Sequence, residues 1–516
     1  MKKTYIWLVA FLLLWNTAFT QEENELLLEI YQIKVSVGHA TLVVVKDKTR
    51  TYPGSIKKLV YSSTLIDAGL RGNTDGQLIV EVIKEHANSR LDRILITHLD
   101  TDHLGGLGNK TTPGILAARC SAGGEINPSL NQGRRLQLIF KEGLDEDTPK
   151  AFSGLLEIPD FLGKYKRLDW EKNLDFYLGP PGSRAWDAIQ LKTLAKNGEL
   201  RKVDPLSPKP PLDIGTKSGP RKNNISGVLT IVWGEFSYLV LGDLQAAKEM
   251  TFQVSRTKSD YKNVFTVPEW DERTLGIPGT QLAVTKKVTK NQDPPATLDE
   301  FIRKTLRTQD KSTKSFTDFT TDDLYKYYVA SPNEWQHDLG KVIKDYNNHD
   351  KTGGNSYAHA CVALVPHHGA MTSNLWFDTN HAVFGTPHNN ENGHPNMQAV
   401  MATKNTSNAG NIYFTHLSDH DGFNRHAELR RLINRNDIQN TTFNILSHGE
   451  GLPSVPAPAT ATSTTTPTST FSDALNGDFF LFKTEHDGKF SVSSGLKDSQ
   501  TLIEIRGNAK CERDHG

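Results

Sequence analysis

From Leu26 onward the chain alternates apolar runs with turn formers. Leu26 to Val37 and Thr41 to Lys46 are rich in valine, isoleucine and leucine, and Gly38 falls between them. That layout predicts two strands joined by a tight turn. Leu59 to Ile66 reads as a third strand, ending at Asp67-Ala68-Gly69. The spacing then changes: Leu78, Ile79, Val82 and Ile83 recur with helical period, predicting a helix from Asp75 to His86. Leu91 to Thr97 returns to strand. Further apolar strands are expected at Tyr238 to Leu241 and Val362 to Val365, and a closing hairpin at Gly477 to Thr484 and Lys489 to Val492. Together these predict an α+β fold, a mixed sheet covered by helices.

Between these runs the pattern weakens. Asn109 to Lys222 reads as irregular cover with short helices. Ser255 to Ser356 reads as an inserted lobe beside the site, with helical character at Leu298 to Leu306 and Asp322 to Tyr328. Val455 to Thr470, rich in Ala, Thr, Ser and Pro, reads as a flexible loop within one domain. At the start, Met1-Lys2-Lys3 precedes the apolar Tyr5 to Trp15 and the small residues before Gln21, the layout of a cleavable secretory signal over residues 1–20. The expected organisation is therefore a signal (1–20), a first domain part (21–254), the lobe (255–356), a second part (357–454), the loop (455–470) and the hairpin (471–510). The expected location is secreted or periplasmic, with no membrane span once the signal is removed.

Composition narrows the partners. The 516 residues carry 59 basic and 59 acidic side chains, so no global positive field holds nucleic acid non-specifically. Three cysteines, none closely paired, exclude a full disulfide framework and argue against a zinc knuckle.

The chemistry concentrates in His98-Leu99-Asp100-Thr101-Asp102-His103, followed by Leu104-Gly105-Gly106-Leu107. Four side chains able to hold a metal fall within six residues, where a strand gives way to a helix. His98 and Asp100, two apart in extended backbone, can grip one ion, and Asp102 and His103 can turn to a second. Downstream stand Leu241-Gly242-Asp243, Pro366-His367-His368-Gly369 and Gly393-His394-Pro395.

With Ile66-Asp67-Ala68-Gly69 and Asn223-Asn224-Ile225-Ser226, these motifs resemble the metallo-β-lactamase superfamily in order. More narrowly they resemble the soluble hydrolase domain of ComEC-type DNA-uptake proteins, which have His-x-Asp-x-Asp-His where most relatives have His-x-His-x-Asp-His. The resemblance implies a four-layer αββα sandwich with long insertions. It implies metal ligands at His98, Asp100, Asp102, His103, Asp243 and His367, with Asp243 bridging two ions. His368 would contact substrate or donate a proton, or exchange places with His367; His394 would stand at the rim. Asp102, His368 and His394 are the catalytic candidates, and Asp67 would orient a ligand histidine.

One departure matters. No histidine lies between His103 and His337, so the superfamily's mid-chain ligand is missing, while ten of the 18 histidines fall between His359 and His448. His416 and His420 also echo ligand spacing. A first site rich in oxygen favours Mn²⁺ or another harder ion more than in a typical zinc member, so the expected cofactor is one or two divalent ions, Zn²⁺ or Mn²⁺. The function implied is an exported hydrolase that attacks phosphodiester or related phosphoester bonds with metal-bound hydroxide. Its substrate would be a small molecule or a nucleic acid. Lactam or ester hydrolysis, or an inactive metal-binding interaction protein, are the alternatives.

Overall fold

The structure, a computed structural model, describes residues 25–70, 74–109, 114–121, 124–126, 135–140, 163–170, 175–183, 185–196, 199–200, 226–244, 249–255, 262–268, 359–370, 378–386, 409–417, 441–447, 470–485, 488–499 and 501–511, with a few isolated positions between them. The expected signal, both helices of the expected lobe, Asn223 to Ile225, His420 and almost all of the 455–470 loop lie outside these residues.

In chain order the elements begin with β1 (Leu26–Ile33), β2 (Thr41–Thr51), β3 (Lys58–Ile66), α1 (Asp75–His86), β4 (Arg93–Leu95), α2 (Thr101–Leu104) and α3 (Ile115–Cys120). Next come β5 (Leu136–Phe140), β6 (Tyr165–Asp169), β7 (Asp175–Tyr177), β8 (Ile189–Lys196), β9 (Glu199–Leu200), β10 (Val228–Trp233), β11 (Phe236–Val240), β12 (Glu249–Ser255) and β13 (Lys262–Pro268). The chain closes with β14 (His359–Leu364), β15 (Asp378–Phe384), β16 (Asn411–Phe414), β17 (Thr442–Ser447), β18 (Thr470–Asn476), β19 (Phe479–Thr484), β20 (Lys489–Gly495) and β21 (Leu502–Lys510).

Two large mixed sheets result. The first runs β21-β20-β19-β1-β2-β3-β4-β5-β6, and the second β18-β17-β16-β15-β14-β11-β10-β8-β7, with β9 on β8. β12 and β13 form a separate pair.

Alternation on β2 shows why the sheets pack as they do. Val43 and Val45 face the second sheet, joining Ile231, Tyr238, Val362 and Tyr413 in one buried cluster. Leu42 and Val44 face the other way, joining Ile79 and Ile83 of α1 and Ile115 of α3. The side-chain period of two thus buries both faces of one strand. A third cluster covers the far face of the second sheet, with Leu239, Ala363, Phe384, Val400 and Leu417. No helix among the described residues is long and apolar enough to cross a membrane.

The helix Asp75–His86 has the bounds its periodicity predicts. Two other expectations need correction. The 109–222 segment supplies the strands β5 to β9 and is not merely cover. Their sequences hide this: β6 (YKRLD) is largely exposed, and β7 has three residues and β9 two. The closing hairpin, which pairs as expected, gains a third strand, β21, whose polar LIEIRGNAK lacks an apolar run. Near the end of β21, Cys511 forms a disulfide with Cys361 on β14, tying the two sheets together. Cys120 is free and buried.

Candidate metal centre

Five chain segments end at one point. Asp67 follows β3, the His98–His103 run follows β4, Asp243 follows β11, His368 follows β14, and His39 sits in the turn between β1 and β2. The centre therefore lies at the carboxyl ends of strands from both sheets, where α/β folds commonly place their chemistry.

Backbone conformations that most residues avoid aim these groups. Asp67, His367 and His368 have φ of 57°, 49° and 54°. Non-glycine residues hold the left-handed region only where the surroundings enforce it, and such strain gathers at functional sites. Asp75, buried at the start of α1, fastens the adjoining loops. Its carboxylate accepts from Ser36 N (2.8 Å), Ser36 Oγ (2.8 Å) and Leu70 N (2.8 Å).

The donors converge. One ring nitrogen each of His39, His103 and His368 and a carboxylate oxygen of Asp243 all lie within 4.8 Å of one another, and all four residues are buried. Asp243 Oδ1 is 3.0 Å from His103 Nε2 and 3.7 Å from His39 Nε2, while its Oδ2 is 3.5 Å from His368 Nε2. Asp102 Oδ2 approaches His368 Nε2 at 3.0 Å and His103 Nε2 at 3.9 Å. His98 Nε2 lies 3.8 Å from Asp243 Oδ2, the oxygen that His368 also approaches, and 3.6 Å from Asp100 Oδ2. Asp243 is thus shared by two groups of donors.

Two rings have their orientation set from behind. His103 Nδ1 faces Asp67 Oδ2 at 2.8 Å, and His368 Nδ1 faces the Gly385 carbonyl at 3.0 Å. With Nδ1–H donating outward, each ring when neutral presents the lone pair of Nε2 inward. Asp67 is itself fixed by Thr97 N (2.7 Å) and Thr97 Oγ1 (2.8 Å). Ser226, the described end of the Asn-rich motif, receives a hydrogen bond from Asp243 N (3.2 Å) and stands 3.4 Å from His98 Nδ1.

Apart from the His368–Asp102 contact, inward atoms stay unsatisfied. Nε2 of His39, His98 and His103 and Oδ1 of Asp243 are buried without a hydrogen-bond partner. Orphaned polar atoms deep in a protein are costly, and a cation at their common focus removes that cost. The titration behaviour agrees. Burial favours neutral His103 and His368, yet the surrounding carboxylates overcome it, raising His103 well above its ordinary value and His368 to about 10. Burial pushes up against Asp102 and Asp243 too, and the neighbouring imidazoles outweigh it, so both stay below the usual carboxylate range. For His39 burial wins, reinforced by His368 and His103, and its pKa drops well below the usual value. The pocket draws in positive charge that protons supply when no metal is bound. Its donors, imidazole nitrogen and carboxylate oxygen, suit a divalent transition ion.

The structure brings together His98, Asp100, Asp102, His103, Asp243 and His368, with Asp67 behind them. His367 is half-buried and its ring centroid lies 6.2 Å from that of His368, which occupies the inner position of the pair. His394 stands beside them, 5.8 Å from His367 and 6.3 Å from His368. His416 is buried and outside the cluster. The sequence reading missed His39. A lone imidazole after Gly38 in a strand turn resembles any polar turn residue, and only the fold carries it to Asp243. A second trio, His359, Cys361 and Cys511, also lies close together, but its two sulfurs are joined to each other.

Comparison with known proteins fits this geometry. The family model described as the metallo-beta-lactamase superfamily matches residues 62–111. That stretch spans most of β3, Asp67 and the whole His98–His103 run, and it is there that the chain is similar to the family. A search of curated proteins found no match. Among solved structures, the Rm3 metallo-beta-lactamase is 15% identical with a TM-score of 0.21, over 45% of this chain and 63% of that one. A metallo-beta-lactamase from Hirschia baltica is 11% identical with a TM-score of 0.19, over 46% of this chain and 75% of that one. This chain spans less than two thirds of the first, and at such TM-scores neither likeness extends to the whole molecule.

Proposed function

We propose that this protein is an exported, metal-dependent hydrolase of phosphodiester or related phosphoester bonds, built as a four-layer αββα domain with insertions. One observation carries the reading: buried Nε2 atoms of His39, His103 and His368 meet Asp243 around a shared focus, with His98 and Asp100 next to the same carboxylate. Divalent ions held there would supply Lewis acidity and a water activated near neutral pH. Asp243 would span both donor groups, Asp102 and His368 would hold a proton between them at their 3.0 Å contact, and His394 would stand at the substrate side. The phosphoester preference rests on the His-x-Asp-x-Asp-His form of the motif and its resemblance to ComEC-type domains. A shared carboxylate between two cation positions also suits in-line displacement at phosphorus.

His39 gives the group of His103, His368 and Asp243 a third imidazole, while the His98–Asp100 pair stays richer in oxygen. Zn²⁺ thereby gains on Mn²⁺ at that nitrogen-rich group. The leader-like residues 1–20 support export, and the Cys361–Cys511 disulfide suits an oxidising compartment.

Hydrolysis of bis-(p-nitrophenyl) phosphate by the mature chain tests the reading, with a chromogenic lactam as control. Turnover of the phosphodiester that stops on chelation, returns with Zn²⁺ or Mn²⁺, and is lost in Asp102→Ala and Asp243→Ala is expected. Lactam turnover alone, or tight metal binding with no turnover of either substrate, would overturn it.

A further inference from the structure

At the opposite end of the first sheet a cleft opens between Tyr61, Arg90, Arg93, Arg135, Tyr177 and Trp186. Its cavity volume is small, ≈ 60 Å³, so a ligand would lie against its walls and remain largely open to solvent. Tyr61 precedes Asp67 along β3, which separates cleft and metal centre by about 20 Å of extended strand. Arg93 opens β4 and Arg135 directly precedes β5, so the cleft lies at the amino ends of parallel strands whose carboxyl ends carry the metal centre. The two places share no residue.

The lining is cationic. Three guanidinium groups face one carboxylate, Asp92. Arg90 is fixed, donating from Nε to Asp92 Oδ2 at 2.8 Å and from Nη1 to the Val60 carbonyl at 2.8 Å. A guanidinium has five N–H donors, so these two bonds leave others for a ligand. Arg93 is held at 2.9 Å to Gln137 Oε1 with its guanidinium 5.6 Å above the Phe176 ring. Arg135 is exposed. Beside these charges stand flat apolar faces. Tyr177 is 41% exposed, and its ring lies 6.1 Å from that of Trp186 at a tilt of 47°. Large aromatic surface left open next to organised guanidinium groups is a recognition surface more than a packing one.

We propose that this cleft binds a ligand joining a planar ring to an anionic group, the chemistry of a nucleoside monophosphate. The guanidinium groups take the phosphate, and Tyr177 and Trp186 take the base. The inference does not depend on which bond the metal centre cleaves.

Calorimetric titration of the full chain in EDTA tests it, since chelation silences phosphate binding at the metal centre. The probes are adenosine monophosphate, adenosine and inorganic phosphate. Saturable binding of the monophosphate is expected, at least about tenfold tighter than either fragment. Arg135→Ala, Arg135→Glu and Trp186→Ala should each weaken it about tenfold or more, while Trp186→Phe retains it. The exposed Arg135 leaves the fold intact, so its two variants decide the matter even if Trp186→Ala misfolds. No saturable binding into the millimolar range, binding indifferent to Arg135, or phosphate binding as tightly as the nucleotide would each overturn the proposal.

Discussion

Gly38 and Asp102 touch so closely that no β-carbon fits between them: one built on Gly38 would fall 1.6 Å from the Asp102 carbonyl oxygen. Gly38 also has φ of 96°, where side chains are strained in any case. This contact sets the β1–β2 turn, and with it His39, against the start of the short helix that bears Asp102 and His103. Gly38→Ala should therefore displace one wall of the metal centre. The expected outcome is a loss of roughly 2–3 kcal/mol in denaturant unfolding together with markedly weaker metal binding. Wild-type metal affinity in this variant would show that the turn does not position the site.

Three hydrogen bonds end on Asp67, from Thr97 N, Thr97 Oγ1 and His103 Nδ1. Asp67→Asn keeps the shape but replaces one acceptor oxygen with a donor, so His103 loses the partner that fixes its tautomer. Metal affinity should fall about 10–100-fold with the fold retained. Competition with a chromophoric chelator measures this, and unchanged affinity would remove Asp67 from the account.

Away from the centre, His86 packs between Tyr31 and Phe479, with ring centroids 5.1 Å and 4.9 Å away. Burial, aided by Lys46, holds its pKa down to about 4. Burial followed by Arg506 similarly takes His381 to about 3. Both groups bind a proton more readily unfolded, near pH 6.5, than folded. Stability from them is thus complete above that pH and is lost as pH falls toward 4. Urea midpoints of the chelated protein should drop between pH 7 and pH 4.5, and His86→Phe should flatten part of that drop. An identical pH profile in the variant would contradict the assignment.

The Cys361–Cys511 bridge spans a sequence separation of 150 residues. Closing so long a loop restricts the unfolded chain by roughly 5 kcal/mol in the chain-entropy account. Cys361→Ala/Cys511→Ala should unfold at clearly lower temperature than the oxidised protein, and a reducing agent should lower only the wild-type value. Equal melting of the two proteins would show that the bridge does not stabilise the sheets.

These residues also show what the sequence made legible. The helix Asp75–His86 declared itself through the spacing of Ile79, Val82 and Ile83, because one face had to be apolar. The His98–His103 run declared itself because its ligands are neighbours in the chain. His39 did not, since its meaning depends on Asp243, more than two hundred residues away, and on the long-range pairing of two sheets. The inner position of His368 was equally hidden: adjacent histidines differ in direction only through the left-handed backbone at 367 and 368, which no side-chain pattern encodes. The strands β6 and β21 escaped notice because edge strands carry polar residues that disguise them.

The account rests on His39, His103, His368 and Asp243 sharing a cation. Metal content per chain in purified protein, measured by plasma mass spectrometry for the wild type beside His39→Ala and Asp243→Ala, tests that most directly. Stoichiometric zinc or manganese in the wild type, reduced in His39→Ala and lost in Asp243→Ala, is the expected result. A wild-type chain that takes up no divalent metal after loading, or an Asp243→Ala chain that retains the full complement, would contradict it.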